Sequence, residues 1–298
     1  FYKDEKLVAT ASILIRPLPL GMTMFYIPRG PVMDYLNQEL VTFVLTSLKK
    51  LAKQKRALFI KFDPFILFQH HQIDQEAVQN PDAETIVRNL QTAGCEWVGR
   101  TTDMVENIQP RFQANIYAKD FSEANLSKKI RQSIRTAKNK GVQVRFGAHE
   151  LLADFADLMK KTEDRKSIHL RGIDYYRKLL DAYPQQSYIT LTTLNLKNRL
   201  ADLEQELETA QKALANYPET VKPSKIDNTK KDIERLTDEI NFLREEMKNG
   251  KETVALSGTL ALEFGSTSEN IYAGMDEHFR RYQAAIYTWF ETANHAFE

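Results

Sequence analysis

Residues 187–264 read SYITLTTLNLKNRLADLEQELETAQKALANYPETVKPSKIDNTKKDIERLTDEINFLREEMKNGKETVALSGTLALEF. Within this stretch Leu196, Leu200, Leu203, Leu207, Ala210 and Leu214 recur at alternating steps of four and three. Pro218 and Pro223 bracket a turn, after which Ile233, Leu236, Ile240, Leu243 and Met247 repeat the pattern. The spacing predicts two helices, and the short turn makes them antiparallel neighbours. One narrow stripe is apolar and the remaining faces are charged, so the pair is expected to form a coiled-coil arm over 195–250 that projects from a folded body; two ordinary core helices would need a wider stripe. About 22 residues at ~1.5 Å rise make such an arm roughly 33 Å long. Its flanks, 187–194 and 253–264, are strand-like, so the arm interrupts a sheet-containing domain.

Working towards the N-terminus, helix patterns fall at 173–182, 149–162 and 123–140, with strands at 142–146 and 112–118. Gly141 stops the 123–140 helix. A second domain therefore starts near Pro110 and runs over 111–298, with a strand at 269–273 and a closing helix that aligns Phe279, Tyr282, Ile286, Trp289 and Ala293. The first domain, 1–110, reads as a hairpin of strands 7–16 and 22–27 separated by Pro17, Pro19 and Gly21. After it come a helix carrying Leu36, Leu40, Val44, Leu48 and Leu51, a strand at 57–62, a helix at 82–93 and a further strand at 95–99. Mixed α/β (α+β) is the fold class.

The 298 residues contain 41 Lys plus Arg against 40 Asp plus Glu, so net charge gives no support to a protein that coats nucleic acid; RNA contact needs a local patch. The single cysteine, Cys95, excludes an intrachain disulfide and a multi-cysteine zinc site, and fits a reducing, cytoplasmic compartment. No apolar run approaches the roughly 20 residues needed to span a bilayer, and no signal-peptide pattern is present. The chain opens on Phe1 and stops at Glu298 inside a helical pattern, so both ends read as clipped.

Chemistry-bearing patterns are few. There is no GxSxG, Walker loop, GxGxxG or HExxH, so covalent serine or cysteine catalysis and nucleotide hydrolysis lack support. His70, His71 and Asp74 sit one residue short of an HHxxxDG motif and read first as surface residues. Lys128, Arg131, Arg135 and Lys138 form one basic stripe on a helix, able to hold phosphates or tRNA, against the alternative of a solvated face opposite Leu126, Ile130, Ile134 and Ala137. Arg171 and Tyr175, four apart between two helices, would share a helix face; an Arg fork beside a Tyr hydroxyl suits a phosphate or sugar phosphate, against the alternative of an ion-paired loop.

The segments Ile15 to Pro31 (IRPLPLGMTMFYIPRGP), Phe59 to Pro64 (FIKFDP), KIRQSIRTAKNKGV, ELLADFADLMKKTEDRKSIHLRGIDYYRKLL, the arm, and NIYAGMDEHFRRYQAAIYTWFETAN, taken in this order, resemble the FemABX family, particularly its members with a helical arm. The resemblance implies two GNAT-like domains in tandem, with the arm inserted in the second and similar to that of seryl-tRNA synthetase. It also implies peptide-bond formation from aminoacyl-tRNA onto a peptidoglycan precursor, lipid II or the nucleotide-linked UDP-MurNAc-pentapeptide, at the inner face of the cell membrane, with peripheral membrane association and no cofactor or metal. Through it Arg171, Tyr175, Tyr272 and Gly274 become the expected contacts to the precursor's phosphates and sugar. His169 stands where some members carry a small polar residue, two family lysines have no counterpart in this chain, and no general base is assigned. The competing readings are a noncatalytic interaction protein on a GNAT-like scaffold and an acetyl-CoA-dependent N-acyltransferase; the latter needs a Gly-rich pyrophosphate loop that the sequence lacks.

Overall fold

Residues 14–29 fold as the predicted hairpin: β1 (Leu14–Leu18) pairs antiparallel with β2 (Met22–Arg29). The run before it breaks into two-residue pairings, Lys6–Leu7 with Tyr2–Lys3 and Ala9–Thr10 with Val32–Met33. From β2 the chain crosses through α1 (Gln38–Gln54) to β3 (Ala57–Pro64), which lies parallel to β2, giving the order β1-β2-β3. Asn37 caps α1 by accepting from the Leu40 amide at 3.0 Å. The helix buries Val41, Val44, Leu45, Leu48 and Ala52 at helical spacing, whereas Leu36 and Leu51, expected on that face, are exposed. The computed structural model describes residues 1–72, 75–100, 108–248 and 250–298. The chain divides into Phe1–Asn115 and Ile116–Glu298, a cut between 115 and 116 where the sequence reading placed 110 and 111. In the first unit α2 (Ala83–Thr92) ends before Gly94, whose φ of +83° is glycine's territory, and adds Ile86 to a core with Ile27, Tyr35 and the α1 face. No strand forms over 95–99, where the apolar run is too short to pair.

The strand expected over 112–118, across the junction of the two units, does not form; the residues there are irregular up to a 3-10 turn at Ala118–Asp120. The predicted helix 123–140 is split, because Ser122 and Ser127 each cap a new turn: a 3-10 turn at Glu123–Asn125, then α3 (Lys128–Asn139). There follow β4 (Val142–Gly147), α4 (Leu152–Lys166), α5 (Ile173–Ala182), β5 (Ser187–Asn195), α6 (Leu196–Ala215), α7 (Pro223–Met247), β6 (Thr253–Phe264), β7 (Thr267–Met275) and α8 (Ala284–Phe297). The four strands form one antiparallel sheet in the order β4-β5-β6-β7.

That sheet is covered on both faces. Ile189, Leu191 and Leu260 pack with Phe155, Leu158, Tyr176 and Leu180 of α4 and α5, while Leu194 and Leu256 pack with Tyr287 and Phe290 of α8. The α8 side also carries hydroxyl pairs, Thr192–Thr288 at 2.9 Å and Thr259–Thr292 at 3.0 Å, which satisfy polar groups the strands bury. The closing helix begins later than predicted. Gln283, in the left-handed region at φ 55°, separates a 3-10 turn at Glu277–Tyr282 from α8, so the apolar phase resets: Phe279 and Tyr282 are buried, but Trp289 is exposed.

Helices α6 and α7 lie side by side between the adjacent strands β5 and β6. Leu196, Leu203, Leu236, Ile240 and Leu243 are buried, with Leu200, Leu207, Ala210 and Met247 packed against them. Arg244 meets Glu204 at 2.8 Å across the pair, and the Tyr217 and Thr229 hydroxyls meet at 2.8 Å near the turn. Where the pair joins the sheet, the Leu196 amide donates to the Glu252 carbonyl at 2.8 Å. Charge is also buried there: Arg199 and Glu239 are 4% and 3% exposed. Glu239 Oε1 accepts from Arg199 Nε and Nη2 at 3.4 Å, and Oε2 accepts from Lys140 Nζ at 2.9 Å, while Arg199 Nη1 reaches Glu206 at 3.3 Å.

Candidate functional site

The sequence 162–176 resolves into the end of α4, a short loop and the start of α5. Ser167 ends α4 in the left-handed region at φ 52°, and Gly172 sets up the first turn of α5. Glu163 staples the loop, accepting from the Leu170 amide at 3.3 Å; that backbone bond leads the effects that hold its carboxyl below the usual range. Arg171 is thereby set at the mouth of α5, one turn before Tyr175.

Across the neighbouring edge of the sheet, β7 presents Tyr272. The Arg171 guanidinium lies over the Tyr175 ring at 5.2 Å, and the Tyr175 and Tyr272 rings meet edge to face at 6.2 Å. Beneath them Tyr176, fully buried, touches the Tyr272 ring at 5.1 Å and Phe155 at 5.3 Å, so the floor of the cluster is core. Burial, and after it the adjacent Tyr175 hydroxyl, raise the Tyr272 pKa against the opposing Arg171, so the phenol stays a neutral hydrogen-bond donor. Burial likewise pushes Tyr176 up to about 12.

Arg171 and Tyr175, paired by their spacing, and Tyr272, expected beside them through the family resemblance, are therefore neighbours. Gly274, two residues on in β7, is buried: a Cβ there would stand 3.0 Å from the Leu158 carbonyl of α4, so glycine permits the strand to lie close against the helix. Thr162 Oγ1 accepts from the Met275 amide at 3.2 Å and ties the same strand to α4. His169 extends fully into solvent and lies 3.5 Å from Glu163.

The basic stripe divides. Lys138 turns to Glu291 of α8 at 3.8 Å and lies over the Tyr287 and Phe290 rings, whereas Lys128, Arg131 and Arg135 stay on the exposed face of α3. His70 and His71 are exposed, and Asp74 lies outside the described residues. Tyr176 and Glu163 are the parts of the site that spacing alone passed over. Tyr176 follows Tyr175 in the segment RGIDYYRKLL, and its i, i+4 relation to Leu180 is the signal that it faces inward.

The cluster can hold an anion in the Arg171 fork and donate from two phenols to phosphate or hydroxyl oxygens. Among its described residues no nucleophile stands beside a base, and the chemistry it offers is that of binding and positioning. Among the described residues no helix is long and apolar enough to cross a membrane.

Comparison with known proteins finds relatives that cover nearly the whole chain. The model of the FemAB family matches residues 1–298. The lipid II:glycine glycyltransferase of Staphylococcus aureus (strain USA300) is 29% identical over 295 residues, covering 93% of this chain and 67% of that protein. Aminoacyltransferase FemA of Staphylococcus aureus (strain MW2) is 26% identical over 310 residues, covering 98% of this chain and 73% of that protein. A crystal structure of FemX superposes with a TM-score of 0.69 at 26% identity, over 99% of this chain and 75% of that one.

Proposed function

Because the chain belongs to the FemAB family, we propose that it transfers an amino acid (glycine, alanine or serine) from aminoacyl-tRNA to the stem-peptide amine of a peptidoglycan precursor, lipid-linked or nucleotide-linked. The observation that carries this reading is the convergence of Arg171, Tyr175 and Tyr272 at one surface site, at the positions where the family resemblance expects the precursor's phosphates and sugar. The relatives' names, a lipid II:glycine glycyltransferase and an aminoacyltransferase, point to the same reaction class. The units Phe1–Asn115 and Ile116–Glu298 are read as the two GNAT-like domains, and α6 with α7 as a coiled-coil arm inserted in the second.

The aminoacyl ester of tRNA is already activated, so the protein has to hold a neutral amine against the ester carbonyl while the amine loses a proton and the 3′-terminal ribose oxygen departs. Arg171 would neutralise the precursor's phosphates, and the Tyr175 and Tyr272 hydroxyls would fix its sugar. The exposed cations Lys128, Arg131 and Arg135 are assigned to tRNA or precursor phosphates. The working place is the cytoplasmic side of the membrane, where charged tRNA and precursor meet.

The test is transfer of radiolabelled glycine, alanine and serine, each charged on tRNA, to lipid-linked and to nucleotide-linked precursors. Transfer of one of them, lowered by Arg171→Ala and by Tyr272→Phe, supports the proposal. Folded protein that transfers none to either acceptor returns the chain to a noncatalytic scaffold.

A further inference from the structure

In the first unit the turn from β1 to β2, Pro19–Gly21, lifts Leu20 into solvent with 91% of its surface exposed. Leu20 is also in the left-handed region at φ 62°, which leucine adopts reluctantly and Gly, Asn or Asp adopt readily. A large apolar side chain is thus held in water on a backbone that would favour a polar residue. Pro17 and Pro19 beside it are exposed as well.

The finger is fixed to the end of α1. The Thr23 amide donates to the Arg56 carbonyl at 3.0 Å, Thr23 Oγ1 donates to the Lys55 carbonyl at 2.8 Å, and Arg56 Nη2 donates to the Leu20 carbonyl at 3.4 Å. The last two turns of α1 and the residues after them read KKLAKQKR over 49–56, and Lys49, Lys50, Lys53, Lys55 and Arg56 are all exposed. Arg16 on β1 is exposed too. No Asp or Glu occurs between Glu5 and Asp34, nor between Glu39 and Asp63. Lysines in a final helical turn favour the helix dipole, which accounts for Lys53. It accounts neither for Lys55 and Arg56, beyond the helix, nor for the leucine among them.

We infer that this end of the first unit docks on a bilayer bearing anionic headgroups: Leu20 enters the boundary between headgroups and acyl chains, and Arg16, Lys50, Lys53, Lys55 and Arg56 lie over the phosphates. An apolar tip rimmed by unopposed cations is the pattern of an interfacial anchor, in which buried apolar area and headgroup attraction add. An RNA surface would use the cations but give the exposed leucine no role. The inference deepens the membrane-side working place proposed above by naming the surface that makes the contact, and vesicle binding measures it apart from the transfer reaction.

The experiment is cosedimentation of the protein with vesicles of mixed phosphatidylglycerol and phosphatidylcholine, and with vesicles of phosphatidylcholine alone. Binding is expected to the first only. Leu20→Asn should weaken it about tenfold or more, while the thermal midpoint stays level or rises because Asn suits the left-handed turn. Lys53→Gln, Lys55→Gln and Arg56→Gln should each weaken binding by about fivefold. Transfer to a soluble precursor should be unchanged in Leu20→Asn, which separates failure here from failure of the proposed reaction. The inference is overturned if the parent ignores anionic vesicles, or if Leu20→Asn binds them as well as the parent. It is equally overturned if the Gln variants lose retention of tRNA instead of vesicles, or if Leu20→Asn turns a dimer into a monomer in sedimentation equilibrium.

Discussion

Replacing Glu239 by Gln probes the charge buried where α6 and α7 meet the sheet. The substitution preserves shape but removes the one carboxylate facing both Arg199, through two contacts of 3.4 Å, and Lys140, at 2.9 Å. Removing one partner from a buried ion pair costs about 3–5 kcal/mol, because the charge left behind is desolvated and unopposed. Two features pull the expectation to the lower end. Arg199 retains Glu206, which is half exposed, and the Lys140 side chain, 17% exposed, can turn outward to water. A loss of about 3 kcal/mol is expected, equivalent to a fall in midpoint of roughly 6–12 °C for a unit of this size. Arg199→Met should cost less, about 1–2 kcal/mol, since Glu239 keeps Lys140. The double variant Arg199→Met/Glu239→Leu should come back to within about 1 kcal/mol of the parent. Urea unfolding reports this through Trp289 in α8, made the sole tryptophan by Trp97→Phe in the first unit. A loss below about 1 kcal/mol for Glu239→Gln, or a double variant that loses the sum of the singles, would refute the idea that this cluster is desolvated charge held by mutual compensation. The acid limb supplies an independent sign. Burial raises the Glu239 carboxyl, but Lys140 and Arg199 outweigh it and leave the folded pKa below the ordinary 4.5. Its contribution is therefore complete above that value and lost as pH falls through the folded one, so Glu239→Gln should flatten the decline in stability below pH 4.5.

At the candidate site, Tyr272→Phe should lower kcat/KM for transfer about 3- to 10-fold, the range of a hydrogen bond to a neutral sugar hydroxyl; Arg171→Lys keeps the charge but loses the fork and the stacking on Tyr175, and about tenfold is expected. Steady-state transfer assays check both, and equal activity in either variant removes that residue from the site. Neutralising Lys128, Arg131 and Arg135 together should reduce the slope of log affinity for charged tRNA against log salt by about 2, as phosphate contacts are released, and an unchanged slope returns these cations to solvent. Gly258→Ala should cost about 1–3 kcal/mol in the same urea experiment, because its Cβ would stand 3.1 Å from Leu191 Cδ1 and the Thr190 carbonyl and 3.2 Å from Phe155.

Periodicity found the features that repeat. The leucine stripe of 196–214 and the isoleucines and leucines of 233–247 became α6 and α7, and the β-branched runs became β5 and β6, because one face of each element must leave water and its spacing records that face. It misread features made by single backbone events. Gln283 at positive φ shifted the phase of the last helix and exposed Trp289, and Ser127 began α3 five residues after a continuous pattern would have started it. Arg199 and Glu239 counted as solvated-face charges, since a one-dimensional pattern cannot tell that two charged residues forty positions apart bury each other. The site was legible where residues were local: Arg171 and Tyr175 share a helix turn, and spacing alone brings them together. Tyr272 joined them only through family resemblance, because the pairing of β7 with β6 that carries it to α5 is a tertiary fact.

Helices α6 and α7 depart from and return to two strands that are already hydrogen-bonded neighbours, with Asn195 opposite Thr253 at the neck. Topologically they are an overgrown hairpin loop. Length can be gained or lost at the distal turn, near Tyr217 and Thr229, in matched increments from both helices without altering strand register, and each doubling of such an excursion adds only about 0.6 kcal/mol of closure entropy. The proximal portion lacks that freedom, because Leu196, Leu203, Leu236 and Leu243 belong to the same core as Tyr282 and Phe290. The chain thus joins a dimension fixed by packing to one that is adjustable, so the span of the hairpin can change while the sheet beneath it stays the same.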